Sequence, residues 1–363
     1  MKEGSEKFIV SVGFIRTIAI VGVISLHVTD ALVNPTNYFG GVSWWLGNFI
    51  NSLSRSAVPL FIMLSGFLIL DPTKNYSFPK MVNKSFFRIA IPLVFWSIFY
   101  FLWRQRWWGE LISPEYIIQS VFKGSLFHLY FLLIIIGLYL IAPLLRKNLN
   151  KAPLIDKKRF LILSFLFGFL ITAASYTFPA TGILINAFTL FSLYIGYFLA
   201  GDYLRNTRLS IRKAIFSISL ILCLWLLTSF LNFWNRELLL QDIRFFWSEA
   251  NGQYFGDYLS PNVILMSLLI FQLLINIDKF LAPLKEKAFF IIKHFSATAF
   301  GIYLIHPLII DLLDHFANMA IHLITSNLWL YMIKKILYVF LISHFIVWIL
   351  SRIPLVKRIF GEY

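Results

Sequence analysis

The stretch Phe14–Asp30, FIRTIAIVGVISLHVTD, is apolar enough to belong to a bilayer-crossing helix, yet it carries an arginine, a histidine and an aspartate. Arg16 and His27 stand eleven residues apart, three helical turns and about 20° from register, with Asp30 one turn further on. All three share one narrow stripe. A charge at mid-helix costs at least ~2.5 to 3.5 kcal/mol in lipid, so this stripe is expected to face protein, water or a ligand.

The rest of the chain repeats the apolar pattern. Its 363 residues are 59% hydrophobic and 13% charged, with a mean hydropathy of +0.77, far from the balance of a soluble domain. Apolar stretches lie at roughly 8–31, 48–70, 86–103, 126–145, 160–177, 183–200, 214–231, 262–277, 296–313 and 330–350, most of them near the ~20 residues a spanning helix needs. The expected fold is an all-α, polytopic membrane helix bundle of about ten transmembrane helices. Polar connectors are short, so residues 1–363 are expected to form a single integral-membrane domain. Lys2, Glu3, Glu6 and Lys7 precede an apolar stretch too long for a signal-peptide core, so the first helix is expected to be retained.

The net charge of +15 follows the membrane. With the N-terminus placed in the cytoplasm, the inner segments carry 23 Lys and Arg, the outer ones seven, and Arg16 and Arg55 fall inside spans. That bias expects both termini in the cytoplasm. It also argues against a nucleic-acid partner, which would need the charge on one face. Cys223 lies in an apolar run, so neither a disulfide framework nor a cysteine metal site is expected. The histidine spacing matches no metal site either.

Two outer connectors, Arg104–Ser125 and Asn232–Pro261, are longer and aromatic. Trp107, Trp108, Tyr116, Trp234, Phe245, Phe246, Trp247, Tyr254, Phe255 and Tyr258 suit either sugar stacking or an interfacial aromatic belt. Pro59 and Pro92 are expected to interrupt helices, as kinks or as breaks lining a site.

Depth along the helices sorts the polar residues into two layers. Arg16, Arg88 and Lys84 fall at the inner level, a cationic pocket suited to phosphates, although Arg88 is also placed to snorkel. His27, Asp30, Arg55, His128, Tyr303 and His306 fall toward the outer level. His27 beside Asp30 has the form of an imidazole oriented by a carboxylate, able to take a proton from a hydroxyl. His128 and His306 also have plain packing roles open to them, His306 by bonding a nearby carbonyl. His294, His315, His322 and His344 show no partner pattern.

Taken together, FIRTIAIVGVISLHV with its Arg16 and His27, VPLFIMLSGFLIL, FFRIAIPLVFW, HLYFLLIIIGLYLIAPLL and FGIYLIHPLII resemble acyltransferase family 3, the integral-membrane acyltransferases, in order and over nearly the whole chain. The likeness runs nearest to the enterobacterial common antigen type of O-acetyltransferase. What the resemblance implies is transfer of an acyl group, usually acetyl from acetyl-CoA as co-substrate and with no bound cofactor, to a hydroxyl of a glycan or lipid-linked sugar. It makes the chain a multi-pass protein of a bacterial inner or plasma membrane. It gives His27 the catalytic role, Arg16 a supporting charge, and Arg88 the donor side. Family members often carry two arginines three apart before the third span, whereas here only Lys84 is basic near Arg88.

The expected reaction has acyl-CoA phosphates on Arg88 and Lys84, and His27, held by Asp30, deprotonating an acceptor hydroxyl. Arg55 or His128 would steady the oxyanion, and Tyr303 and His306 stand as acceptor-side candidates. The rival reading is a transporter or flippase of a lipid-linked sugar or small acylated compound, which buried charge and broken helices would also suit.

Overall fold

The computed structural model describes residues 2–34, 38–73, 78–123, 127–149, 152–177, 186–241, 254–279, 285–321 and 328–361. Among them the chain is helical and contains no strand. The helices are α1 (Lys2–Val33), α2 (Val42–Ser54), α3 (Ala57–Ile69), α4 (Phe78–Trp107), α5 (Pro114–Lys123), α6 (Tyr130–Leu149), α7 (Leu154–Thr177), α8 (Ile195–Tyr203), α9 (Ile211–Leu240), α10 (Pro261–Ile275), α11 (Lys285–Ile321) and α12 (Leu328–Leu350). Among the described residues nine segments are long and apolar enough to cross a membrane. This is a polytopic helical membrane protein.

The expected span at 183–200 is not among the nine. Its described part is a tight helical turn, Leu190–Tyr194, running into the nine-residue α8, and residues 178–185 lie outside the described residues. Pro92 sits inside α4, which runs on through it, whereas Pro59 interrupts its span: α2 stops at Ser54 and α3 starts at Ala57. The reason is local, because Pro59 has no N–H for the carbonyl of Arg55 and its ring crowds that carbonyl. Leu60 N instead closes the new helix on Ser56 O at 2.9 Å.

Backbone packing divides the chain into two compact units, Met1–Phe61 with Leu204–Trp348, and Ile62–Tyr203 with Ile349–Tyr363. In the first, α1 packs against α2, α10 and α11, and α9 against α2 and α10. Polar side chains at membrane depth satisfy themselves on backbone, as they must where water is scarce. Thr17 Oγ1 donates to Gly13 O at 3.0 Å, Ser25 Oγ to Val21 O at 2.8 Å and Thr29 Oγ1 to Ser25 O at 2.7 Å. Indoles join helices: Trp44 Nε1 donates to Val33 O at 3.1 Å and Trp225 Nε1 to Phe49 O at 2.6 Å.

In the second unit, α3 and α8 touch backbone to backbone. A Cβ added to Gly66 would lie 1.8 Å from Phe198 O, and one added to Gly201 would lie 1.8 Å from Met63 O. Only glycine permits that approach, the usual device for close packing in lipid. The C-terminal turn Val356–Phe360 is tied to α4, since Trp96 Nε1 donates to Ile359 O at 3.0 Å and Arg88 Nε to Gly361 O at 2.9 Å.

Candidate functional site

The stripe on α1 meets polar faces of α2 and α11 within the first unit. α2 reads Asn48, Asn51, Ser52, Arg55, spaced by three, four and seven residues, which puts all four on one helical face. Asn51, 1% exposed, is the link. Its Nδ2 donates to Asp30 Oδ1 at 3.2 Å and to Thr29 Oγ1 at 3.0 Å, and its Oδ1 accepts from Arg55 Nε at 2.9 Å. One amide therefore joins a carboxylate to a guanidinium, using its donor on the acid and its acceptor on the base.

His27 lies beside this chain. Asp30 and Arg55 are both within electrostatic reach of it. Its side chain is exposed while Leu26 and Val28 are buried, although protein surrounds it at longer range. The imidazole is open on one side and flanked by protein on the other. The His27 ring packs against that of His306, with centroids 5.1 Å apart and planes at 42°.

His306 is fully buried, and its orientation has a cause in the sequence. Pro307 follows it inside α11, so the carbonyl of Tyr303, four residues back, loses the N–H that would normally bond it. His306 Nδ1 supplies that bond at 2.8 Å. A carbonyl only accepts, so Nδ1 carries a proton and, in the neutral ring, Nε2 is the lone-pair nitrogen. Tyr303, 3% exposed, packs its ring 5.9 Å from that of His306.

The other expected residues are placed as follows. Arg16 is half-buried on α1. His128 and Arg88 belong to the second unit, His128 buried with its ring edge-on to Tyr100 at 5.1 Å, and Arg88 exposed with its Nε on the Gly361 carbonyl. Lys84 falls within α4, but its side chain lies outside the described residues, as do Phe245, Phe246, Trp247 and His322. Among the described residues no group of three His, Cys, Asp or Glu is set to hold a metal ion.

Three residues that matter here were not singled out by sequence. Asn51 is one, and the helical spacing of Asn48, Asn51, Ser52 and Arg55 was its signal. The others are Asn232 and Arg236, which the apolar pattern places in an outer connector. They lie instead on α9, which runs to Leu240. Asn232 Nδ2 donates to Ser52 Oγ at 3.3 Å, and Asn48 Nδ2 to Ser229 O at 2.8 Å, so α9 and α2 are stitched along their polar faces. His344 also has a partner, its Nδ1 2.7 Å from Thr298 Oγ1, which no spacing announced.

A family model described as an acyltransferase domain matches residues 9–355. No curated protein matches the chain, and no solved structure does.

Proposed function

Since the chain belongs to acyltransferase family 3, we propose that it is a membrane-embedded O-acyltransferase moving an acyl group, acetyl first among candidates, from acyl-CoA to a hydroxyl of a cell-surface glycan or lipid-linked sugar. A bacterial inner or plasma membrane is the location that fits such an acceptor. Family membership speaks for transfer rather than for the transporter reading. The observation that carries the residue assignment is the arrangement around His27: a reachable imidazole, backed by a tautomerically fixed His306, beside a carboxylate held by Asn51.

In this reading His27 accepts the proton of the acceptor hydroxyl as its oxygen bonds to the thioester carbonyl carbon. The tetrahedral intermediate collapses with cleavage of the C–S bond. The departing CoA sulfur takes the proton from the His27 imidazolium, leaving the enzyme as it began. Asp30 stabilises the transient imidazolium by charge. Arg55 is the cation in reach to steady the oxyanion. Arg16, on the same helix three turns away, is assigned to the donor's phosphates; Arg88, with Lys84 four residues before it in sequence, is proposed by itself as an anion-binding arginine of the second unit. The Arg88 fork has one nitrogen committed to Gly361, which orients the remainder.

The test is acceptor-dependent release of CoA by the purified protein in lipid nanodiscs, given acetyl-CoA and envelope glycans, with mass spectrometry of the glycan product. Release that tracks a mass gain on the glycan supports the reading. Uptake of a sugar without consumption of acyl-CoA contradicts it.

A further inference from the structure

The polar chain that begins at Asp30 does not end at Arg55. Beyond it, within the first unit, a pocket is lined by Trp44, Asn51, Arg55, Asn232, Arg236 and Gly256. Two arginines therefore line one small space. Among the described residues neither Arg55 nor Arg236 has a carboxylate within ion-pair distance.

Arg236 is held in place by contacts that leave its charge unspent. It donates to the Asn34 carbonyl at the end of α1, and its guanidinium carbon stands 5.9 Å over the Phe39 ring. Its Nε is buried with no hydrogen-bond partner among the described residues, and so is the Oδ1 of Asn232. Buried polar atoms without partners are uncommon and costly. Here an orphan donor on a cation and an orphan acceptor belong to two residues that line one pocket. The neighbouring turn is itself secured, because Asn262 Nδ2 donates to Phe255 O at 2.7 Å and to Thr228 Oγ1 at 2.8 Å. That places Gly256 against Arg55, where a Cβ would sit 3.4 Å from the guanidinium Nε.

We infer that this pocket binds the acceptor by an anionic group, a carboxylate or phosphate on a sugar, with Arg236 taking the anion and the Asn232 carbonyl taking an adjacent hydroxyl, while Arg55 stays with the reacting end. A neutral ligand would satisfy the asparagine and leave the Arg236 cation unpaired. An inorganic anion would satisfy the cation and leave the asparagine unpaired. The chemistry that completes both is an anion and a hydroxyl on one molecule. The pocket's Val33 lies six residues past His27, about 9 Å along the α1 axis. An acceptor anchored there extends its reacting hydroxyl along α1 toward the imidazole, and Asn51 belongs to both places.

The identity of the ligand as acceptor rests on the acyl-transfer reading, but its binding is measurable without donor or turnover. Purified protein in nanodiscs is titrated calorimetrically with glucose, glucuronate and glucose 1-phosphate, no acyl-CoA being present. At least one of the charged sugars is expected to bind about tenfold or more tightly than glucose, with a preference that shrinks as salt rises. Which one binds better tells carboxylate from phosphate. Arg236→Gln removes the preference, Arg236→Lys retains part of it by keeping the charge without the fork, and His27→Ala keeps it whole. Equal binding of neutral and charged sugars, binding of none, or a preference that survives Arg236→Gln overturns the inference. If His27→Ala binds normally while wild-type protein never releases CoA, the pocket stands and the acyl-transfer reading falls.

Discussion

His306 faces His27 with one ring nitrogen already spoken for: Nδ1 is bound to the Tyr303 carbonyl at 2.8 Å, and the two rings lie 5.1 Å apart. A proline in α11 thus reaches the candidate base through a single histidine. Removing the Pro307 N–H frees a carbonyl, the carbonyl fixes a tautomer, and the fixed ring forms the wall behind His27.

That chain of cause can be taken apart. His306→Phe keeps an aromatic wall but orphans the Tyr303 carbonyl in a fully buried setting, at a cost of about 1–3 kcal/mol. Thermal unfolding in detergent should show the loss. Adding Pro307→Ala returns a backbone donor to that carbonyl, and the double variant should recover most of the stability. An additive double mutant would contradict the coupling.

Asn51 carries a second prediction. Asn51→Leu fills the same volume but leaves Asp30 and Arg55 without their shared amide, both at membrane depth. Stability is expected to fall by about 2–3 kcal/mol, and CoA release at least tenfold in the fraction that remains folded. The Asn51→Asp variant, which keeps the acceptor for Arg55 and removes the donor for Asp30, should be folded and nearly as inactive. Near-normal turnover in either would remove the bridge from the account.

The break before Pro59 separates function from stability. Pro59→Ala restores a donor for the Arg55 carbonyl and allows α2 to run on into α3, so the unfolding temperature should hold or rise. Straightening the helix re-aims α2, which carries Asn51 and Arg55 together, relative to His27 on α1, and acyl transfer should drop about tenfold. Unchanged activity would mean that the break is incidental.

Lys335 on α12 is 6% exposed and pairs with Asp314 on α11, whose side chain is 38% exposed. Asp314→Asn leaves that ammonium without its counter-charge. Half of the pair is open to screening, so the expected destabilisation is about 1–2 kcal/mol, below the usual cost of breaking a fully buried pair. Combining it with Lys335→Met should restore stability, and activity should be unaffected because the pair lies outside the His27 network. A double variant weaker than Asp314→Asn alone would show that the pair is needed for packing.

What the sequence revealed follows from what one helix can encode. The Arg16, His27 and Asp30 stripe was legible because its spacing lies within a single helix and charge in an apolar run is conspicuous. The Pro59 break was legible because proline acts on its own backbone. Pro92 acts on its backbone in the same way, but an isolated proline inside a long helix is tolerated, and α4 continues through it. Asn51 was passed over because a neutral amide carries no charge signal and its meaning lies in partners 21 residues back and four residues on. Arg236 was assigned to a connector because the apolar run ends near residue 231, while α9 continues to Leu240. A helix can outlast its hydrophobic face when the polar end packs on another polar face, as Asn232 does on Ser52.

The central claim is that the His27 imidazole moves the acceptor's proton. The direct measurement is the rate of acceptor-dependent CoA release by purified His27→Ala beside wild type, with matched unfolding temperatures as proof of fold. Loss of the general base should lower the rate by about 10²- to 10⁴-fold. A folded His27→Ala protein that keeps more than about a tenth of the wild-type rate would contradict the account, since a general base contributes at least ~10²-fold.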